Sequence, residues 1–181
     1  MATVKLELNP QVPSIPGFED KTKIDVRYMV IAPFVSIHIY WNSELNEVIY
    51  EVEEPVLTED DWKKLKKIES SMREIVNINF VGGEGSQEHL LDYIDKTARL
   101  LISELGFEIE ESKYEKLFYY LYRNFVGLNE IEALMKDYFI EDIECNGVDQ
   151  PIYIVHRVFR NIKTRVKFTS LEEIANFVEK L

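Results

Sequence analysis

The stretch from Ile140 to Arg157, IEDIECNGVDQPIYIVHR, sets the acids Glu141, Asp142 and Glu144 beside the chain's only cysteine, Cys145, an Asn-Gly turn, and His156 next to Arg157. A cysteine nucleophile needs a base within hydrogen-bond reach, and His156 follows Cys145 by eleven residues across a predicted strand turn. That spacing is nonspecific, and a lone cysteine opening a turn is as a rule a small structural residue. The three acids resemble an acid/base set, yet on a strand edge like charges stay solvated and oppose strand addition. His38 falls on an alternating strand and His89 in a first helical turn. Neither sits in a Cys-x-x-Cys or His-Glu-x-x-His spacing that would gather metal ligands. No catalytic residue and no metal site is therefore expected.

Nucleotide hydrolysis leaves a clearer mark. A phosphate-binding loop needs Gly-x-x-x-x-Gly-Lys-Ser/Thr, so that backbone amides and a lysine surround the phosphates. None of the seven glycines is followed by Lys-Ser or Lys-Thr. What remains is a basic patch. Tyr153 to Leu171 contains no acid, while Arg157, Arg160, Lys163, Arg165 and Lys167 supply five bases. In a strand, Lys163, Arg165 and Lys167 share one face and Ile162, Val166 and Phe168 the other. A two-residue loop at Arg160 and Asn161 would put His156 opposite Arg165 on the basic face. Such a face is either solvated or meets an anion, a nucleotide phosphate or the acidic flank of another subunit.

Elsewhere the chain is acidic, with a net charge of −12 over 181 residues, so it lacks the basic footprint of a nucleic-acid binder. Its 46% apolar and 30% charged residues are those of a globular protein. No apolar run reaches the roughly 18 residues that span a bilayer. The start MATVKLELNPQ lacks a signal peptide's apolar core, and one cysteine makes no internal disulfide, so a cytoplasmic location is expected.

The elements that position these residues follow from periodicity, and the class they predict is α+β. The proline-rich NPQVPSIPGFED is an irregular arm, ordered or flexible. DVRYMVI, FVSIHIYW and EVIYEVEE read as a small antiparallel sheet over 24–54. Thr58 caps a helix to about Val76 with Trp62, Leu65, Ile68 and Met72 on one face. VGGEGS at 81–86 is the predicted linker, and Ser86 the cap of a helix striped by Leu90, Leu91, Ile94, Ala98, Leu101 and Leu105 and closed by Gly106.

Ser112 with Glu115 opens a helix closed by Gly127, and Asn129 with Glu132 a third through about Tyr138. Phe118, Tyr119, Tyr120, Tyr122 and Phe125 cover more than one face of the middle helix, so some must pack on a neighbour. Strands at 141–145, 151–158 and 162–168 precede a helix capped by Ser170. The expected domains are thus 1–81, an arm with a β-hairpin sheet and helix; 82–138, a three-helix bundle; and 139–181, a βββα unit. That last unit leaves an edge strand open, which suggests an incomplete α/β domain.

The run MKDYFIEDIECNGVDQPIYIVHRVFRNIKTRVKF also resembles the N-terminal region of the type II and type IV secretion ATPase superfamily, closest to the archaeal pilus, archaellum and secretion motors. The residues that carry this are Asp137 to Ile143, Gly147, the Pro-Ile-Tyr-Ile-x-His-Arg strand from Pro151, and Ile162-Lys163-Thr164. YMVIAPFVSIHIYW and VIYEVEEP are similar to the archaeal branch as well. Relatives often carry a glycine near Arg160, which this chain lacks.

The resemblance implies a non-catalytic region that precedes a RecA-like motor domain in a hexameric ring, with Arg157, Arg160, Lys163 and Arg165 toward the nucleotide cleft or a subunit interface. It implies ATP and magnesium for the full-length motor but no cofactor in this chain. Its partners would be a polytopic membrane platform protein, the motor domain and other ring subunits, reached from the inner face of the membrane, and no nucleic acid. The competing reading is a stand-alone acidic adaptor that binds a partner through its aromatic helices.

Overall fold

The computed structural model describes residues 4–75 and 87–181, and the fold is α+β. The linker expected at 81–86, with Ser86 as a cap and Val76 as a helix end, lies outside the described residues. The chain divides into two units: one holds Pro55–Gly127, and the other joins Leu6–Glu54 to Leu128–Leu181.

In the first unit, helix α1 covers Glu59–Ile75, α2 covers Gln87–Glu104 and α3 covers Glu111–Phe125. Thr58 caps α1 as expected. Its Oγ accepts from the Asp61 amide at 3.2 Å, and Asp61 Oδ2 accepts from the Thr58 amide at 3.2 Å and hydroxyl at 2.6 Å. These bonds, the Thr58 hydroxyl first, hold the Asp61 carboxyl below the ordinary carboxylate range although it is buried. Leu65, Ile68 and Met72 of α1 are buried, as are Ile94, Ala98 and Leu101 of α2. Gly106 takes the left-handed conformation that ends α2 at φ +67°, and the Phe107 amide reaches back to the Ile102 carbonyl at 3.0 Å.

Two expectations fail here. The N-cap of α3 is Glu110, without a side-chain capping bond, and Ser112 instead donates to the Glu110 carboxylate at 2.9 Å. The helices that pack together are α1, α2 and α3. The predicted third helix is a 3-10 turn, Asn129–Ile131, followed by the one-turn helix α4, Glu132–Lys136, and both belong to the other unit.

In that unit, strands β1 (Asp25–Ile31), β2 (Val35–Asn42), β3 (Glu47–Glu53), β4 (Ile140–Glu144), β5 (Pro151–His156) and β6 (Arg160–Lys167) form a single six-stranded sheet in the order β1-β2-β3-β6-β5-β4. The two antiparallel sets anticipated at 24–54 and 139–168 are halves of one sheet. β3 and β6 join them in parallel, with Ile49 opposite Lys163 and Tyr50 opposite Thr164. The edge expected to stand open at the end of the chain is therefore paired; the boundary at 138/139 falls inside one unit, and that at 81/82 lies outside the described residues. The sheet's outer strands are β1 and β4.

Alternation explains the core. Tyr28 pairs with Ile37, and Ile39 with Tyr50, which pairs in turn with Thr164; all five are buried on one face. Ile154 and Ile162 extend that face across the second hairpin. Each of these isoleucines contributes about 1.5–3 kcal/mol by leaving water. Helix α4 contacts β1 and β4. Just ahead of the proline-rich arm, Glu7 bridges Ala32 through two bonds of 3.0 Å, with Leu8 buried beside it. Helix α5, Leu171–Lys180, starts at Ser170, whose Oγ accepts from the Glu173 amide as predicted. No helix among the described residues is long and apolar enough to cross a membrane.

Candidate functional site

The hairpin between β5 and β6 turns through Arg157, Val158 and Phe159, with His156 paired to Arg160. This corrects the two-residue loop expected at Arg160 and Asn161. Arg160, the first residue after the turn, adopts a left-handed φ of +63°, a conformation in which glycine is at ease. The displaced register takes His156 off the basic face and buries it completely.

The site residues consequently part company. Arg160 and Lys163 line one surface groove of about 820 Å³, together with Lys21, Phe18, Trp41, Tyr153 and Phe159. Lys163 faces Glu47 at 3.8 Å across the β3–β6 pairing. Arg157 turns aside, its guanidinium 4.3 Å above the Tyr138 ring and 3.9 Å from Glu141. Arg165 points from the outer sheet face and donates to the Tyr40 hydroxyl at 3.1 Å. The Tyr40 ring packs on His38, which contacts Asp25 at 2.8 Å and Arg27 at 3.0 Å. The structure thus brings together two of the four predicted residues. Alternation along β6 is as expected, with Ile162 and Phe168 buried and Arg165 and Lys167 exposed.

Sequence reasoning missed what lies behind the hairpin. Asp137 Oδ2 accepts from the hydroxyls of Tyr28 and Tyr50, each at 2.7 Å, and Oδ1 accepts from the Phe139 amide at 2.9 Å. The Tyr28 hydroxyl also meets His156 Nε2 at 3.3 Å. On the other side of that ring, Nδ1 accepts from the amides of Val158 and Phe159 at 3.1 and 3.3 Å. Because Nδ1 accepts, the neutral ring carries its proton on Nε2 and donates to Tyr28. All four side chains are buried.

Burial sets the titration of this network. It pushes His156 down to about 4 and lifts Tyr28 and Tyr50 above the ordinary phenol range, where the neighbouring Asp137 charge lifts them further. It also raises Asp137, against the pull of the hydroxyls and the Phe139 amide. With both ring nitrogens engaged, His156 has no lone pair to offer a nucleophile. Cys145 is exposed and follows Glu144, which pairs with Tyr153, whereas His156 pairs with Ile140 at the other end of the hairpin. The thiol and the imidazole do not form a dyad. Glu141, Asp142 and Glu144 are exposed on the edge strand.

The signal for the network was in the sequence as Asp137 and His156, two ends of one motif. What was not legible was that Tyr28 and Tyr50 arrive from the other half of the sheet. The aromatic run on α3 is likewise internal: Phe118, Tyr119, Tyr120 and Tyr122 are buried, and the Tyr120 hydroxyl donates to the Pro55 carbonyl at 2.8 Å.

No family model matches the chain. Two Methanocaldococcus jannaschii proteins are similar to it. One, the uncharacterized protein MJ1288, is 33% identical over 128 residues, which is 71% of this chain and 50% of that protein. The other, the uncharacterized protein MJ0900, is 24% identical over 170 residues, 90% of this chain and 28% of its own length. The chain thus spans half or less of the curated relatives that it matches.

Proposed function

We propose that the chain is a non-catalytic N-terminal region of an archaeal secretion or pilus-type motor ATPase. In that role it docks partner proteins, among them a membrane platform, and holds Arg160 and Lys163 toward a subunit interface or the nucleotide cleft. The observation that carries this reading is that the residues of the resemblance have a joint structural task. Asp137, Phe139 and His156 converge on one buried network beside the hairpin that presents Arg160 and Lys163. A motif with such a task is the signature of a fold rather than of an active site. The archaeal source and greater length of the two relatives also support the reading.

On this reading the full-length motor uses ATP and magnesium on a RecA-like domain, assembles as a hexamer and works at the inner face of the membrane. Arg157 and Arg165, turned toward Tyr138 and Tyr40, serve surfaces other than the groove. The test is turnover. The isolated chain should hydrolyse no ATP, and sustained turnover would overturn the non-catalytic role. Joined to a RecA-like motor domain, the Arg160→Ala/Lys163→Ala variant should lose about tenfold or more in turnover or ring formation, as expected for cations at developing phosphate charge or at an interface; no change in either refutes their placement.

A further inference from the structure

The groove beside the β5–β6 hairpin has a particular chemistry. Phe18, Trp41 and Phe159 supply aromatic wall, with Phe18 and Phe159 in ring contact at 6.0 Å. Lys21, Arg160 and Lys163 supply three cations against one acid, Glu47. Lys21 and Arg160 have no carboxylate partner among the described residues, and Lys163 has only the long contact to Glu47 at 3.8 Å. In a chain of net charge −12 this is a local excess of positive charge. The occupant it suits is anionic and partly apolar.

The same chain carries such a segment. β4 is an edge strand, Ile-Glu-Asp-Ile-Glu, with Glu141, Asp142 and Glu144 exposed and Ile140 and Ile143 half-buried. Five extended residues span about 17 Å, a length suited to a surface groove. Its one ion pair among the described residues, Glu141 to Arg157 at 3.9 Å, joins two exposed side chains and is easily exchanged. Two copies of β4 laid edge to edge would oppose like charges, so a symmetric strand-to-strand contact is disfavoured.

We infer that the groove of one copy receives the acidic β4 edge of a second copy, in a head-to-tail contact. The contact is heterologous, and its repetition generates a ring or an open array according to the rotation between neighbours. This names the neighbour that the interface reading of Arg160 and Lys163 requires, and it rests on that reading. The measurement uses the chain alone without nucleotide, so its failure is distinguishable from a failure of the motor assignment, which turnover decides.

The experiment is sedimentation equilibrium of the full chain over a range of concentrations, with circular dichroism of every variant as the fold control. Wild type should associate, and roughly tenfold more weakly when salt rises from about 0.05 to 0.5 M, since screening shortens to a few ångströms. A groove variant, Arg160→Gly/Lys163→Gln, and an edge variant, Glu141→Gln/Asp142→Asn/Glu144→Gln, should each be monomeric. Mixed in equal amounts they should form a one-to-one pair and stop there, because one brings the only intact edge and the other the only intact groove. A wild type that stays monomeric at roughly 1 mM, the weak end of specific association, overturns the inference. So does association insensitive to salt, or variants that self-associate like wild type. A β4 peptide that shifts Trp41 fluorescence while the chain remains monomeric would show that the groove takes a separate acidic partner, and overturns the second copy as its occupant.

Discussion

Asp137 and His156 are joined through the hydroxyl of Tyr28, which donates to Asp137 Oδ2 at 2.7 Å and accepts from His156 Nε2 at 3.3 Å. One hydroxyl from β1 thus ties the end of α4 to the end of β5, and the Tyr50 hydroxyl adds β3 to the same carboxylate. Both polar ends of the hairpin motif thus find partners in the other half of the sheet.

Tyr28→Phe should cost about 1–2 kcal/mol in urea unfolding, and Asp137→Ala about 3 kcal/mol or more, since it leaves two hydroxyls and the Phe139 amide buried without an acceptor. The double variant should cost less than the sum, with a coupling of at least about 0.5 kcal/mol. Strict additivity would mean that the two groups do not act as one network.

Stability should fall on mild acidification. His156 binds its proton at about 4 in the fold against 6.5 when exposed, so between these values the unfolded chain holds more protons and stability rises with pH. The contribution is fully present above 6.5 and is lost as pH falls toward 4, an amount of about 3 kcal/mol. Asp137 acts in the opposite sense: its raised folded value favours the fold at low pH, and this is lost as pH rises through it. Urea unfolding across this range should show a positive slope that His156→Gln flattens. An equal slope in that variant would assign the effect elsewhere.

Arg99 is the polar clasp between α2 and α3. It contacts Asp95 at 3.1 Å and both Glu111 oxygens at 2.6 and 3.1 Å, and it lies 4.0 Å over the Tyr114 ring, whose hydroxyl donates to Asp95 at 2.7 Å. Arg99→Ala should lower stability by about 2–3 kcal/mol, because it strips the charge partner from the buried Asp95. Arg99→Lys should recover only part, since an ammonium cannot make the paired contact or stack on the ring. Thermal unfolding of the two variants orders them.

Arg160→Gly should raise stability by about 0.5–1 kcal/mol, since the residue holds a φ of +63° that costs a side-chain-bearing residue and not glycine. A higher unfolding midpoint together with weaker association would separate strain at this position from its charge in the groove. A lower midpoint would show that the arginine side chain stabilises the turn more than its backbone strains it.

Local order was legible without coordinates. The hairpin β1-β2-β3, the Thr58 and Ser170 caps and the Gly106 stop all depend on residues near in sequence, whose side-chain alternation and hydrogen bonds act within one turn or one hairpin. The run of bases from Arg157 to Lys167 was legible in the same local way, and so was the weakness of a Cys145–His156 dyad.

Three features were decided only in the tertiary structure. The parallel β3–β6 pairing closes a loop from Tyr50 to Thr164, so its benefit depends on everything folded in between and leaves no local pattern. The packing of α1 with α2 and α3, in place of the expected third helix, depends on which apolar stripes meet rather than on where they occur. The hairpin register turned on the left-handed backbone of Arg160, which a non-glycine residue does not announce. That register buried His156 against Tyr28 and Asp137 and sent Arg160 and Lys163 to a shared groove. The sequence alone determined which residues were apolar, basic or cap-forming; long-range pairing decided which of them meet, because contact between distant segments is a property of the whole fold and not of any one stretch.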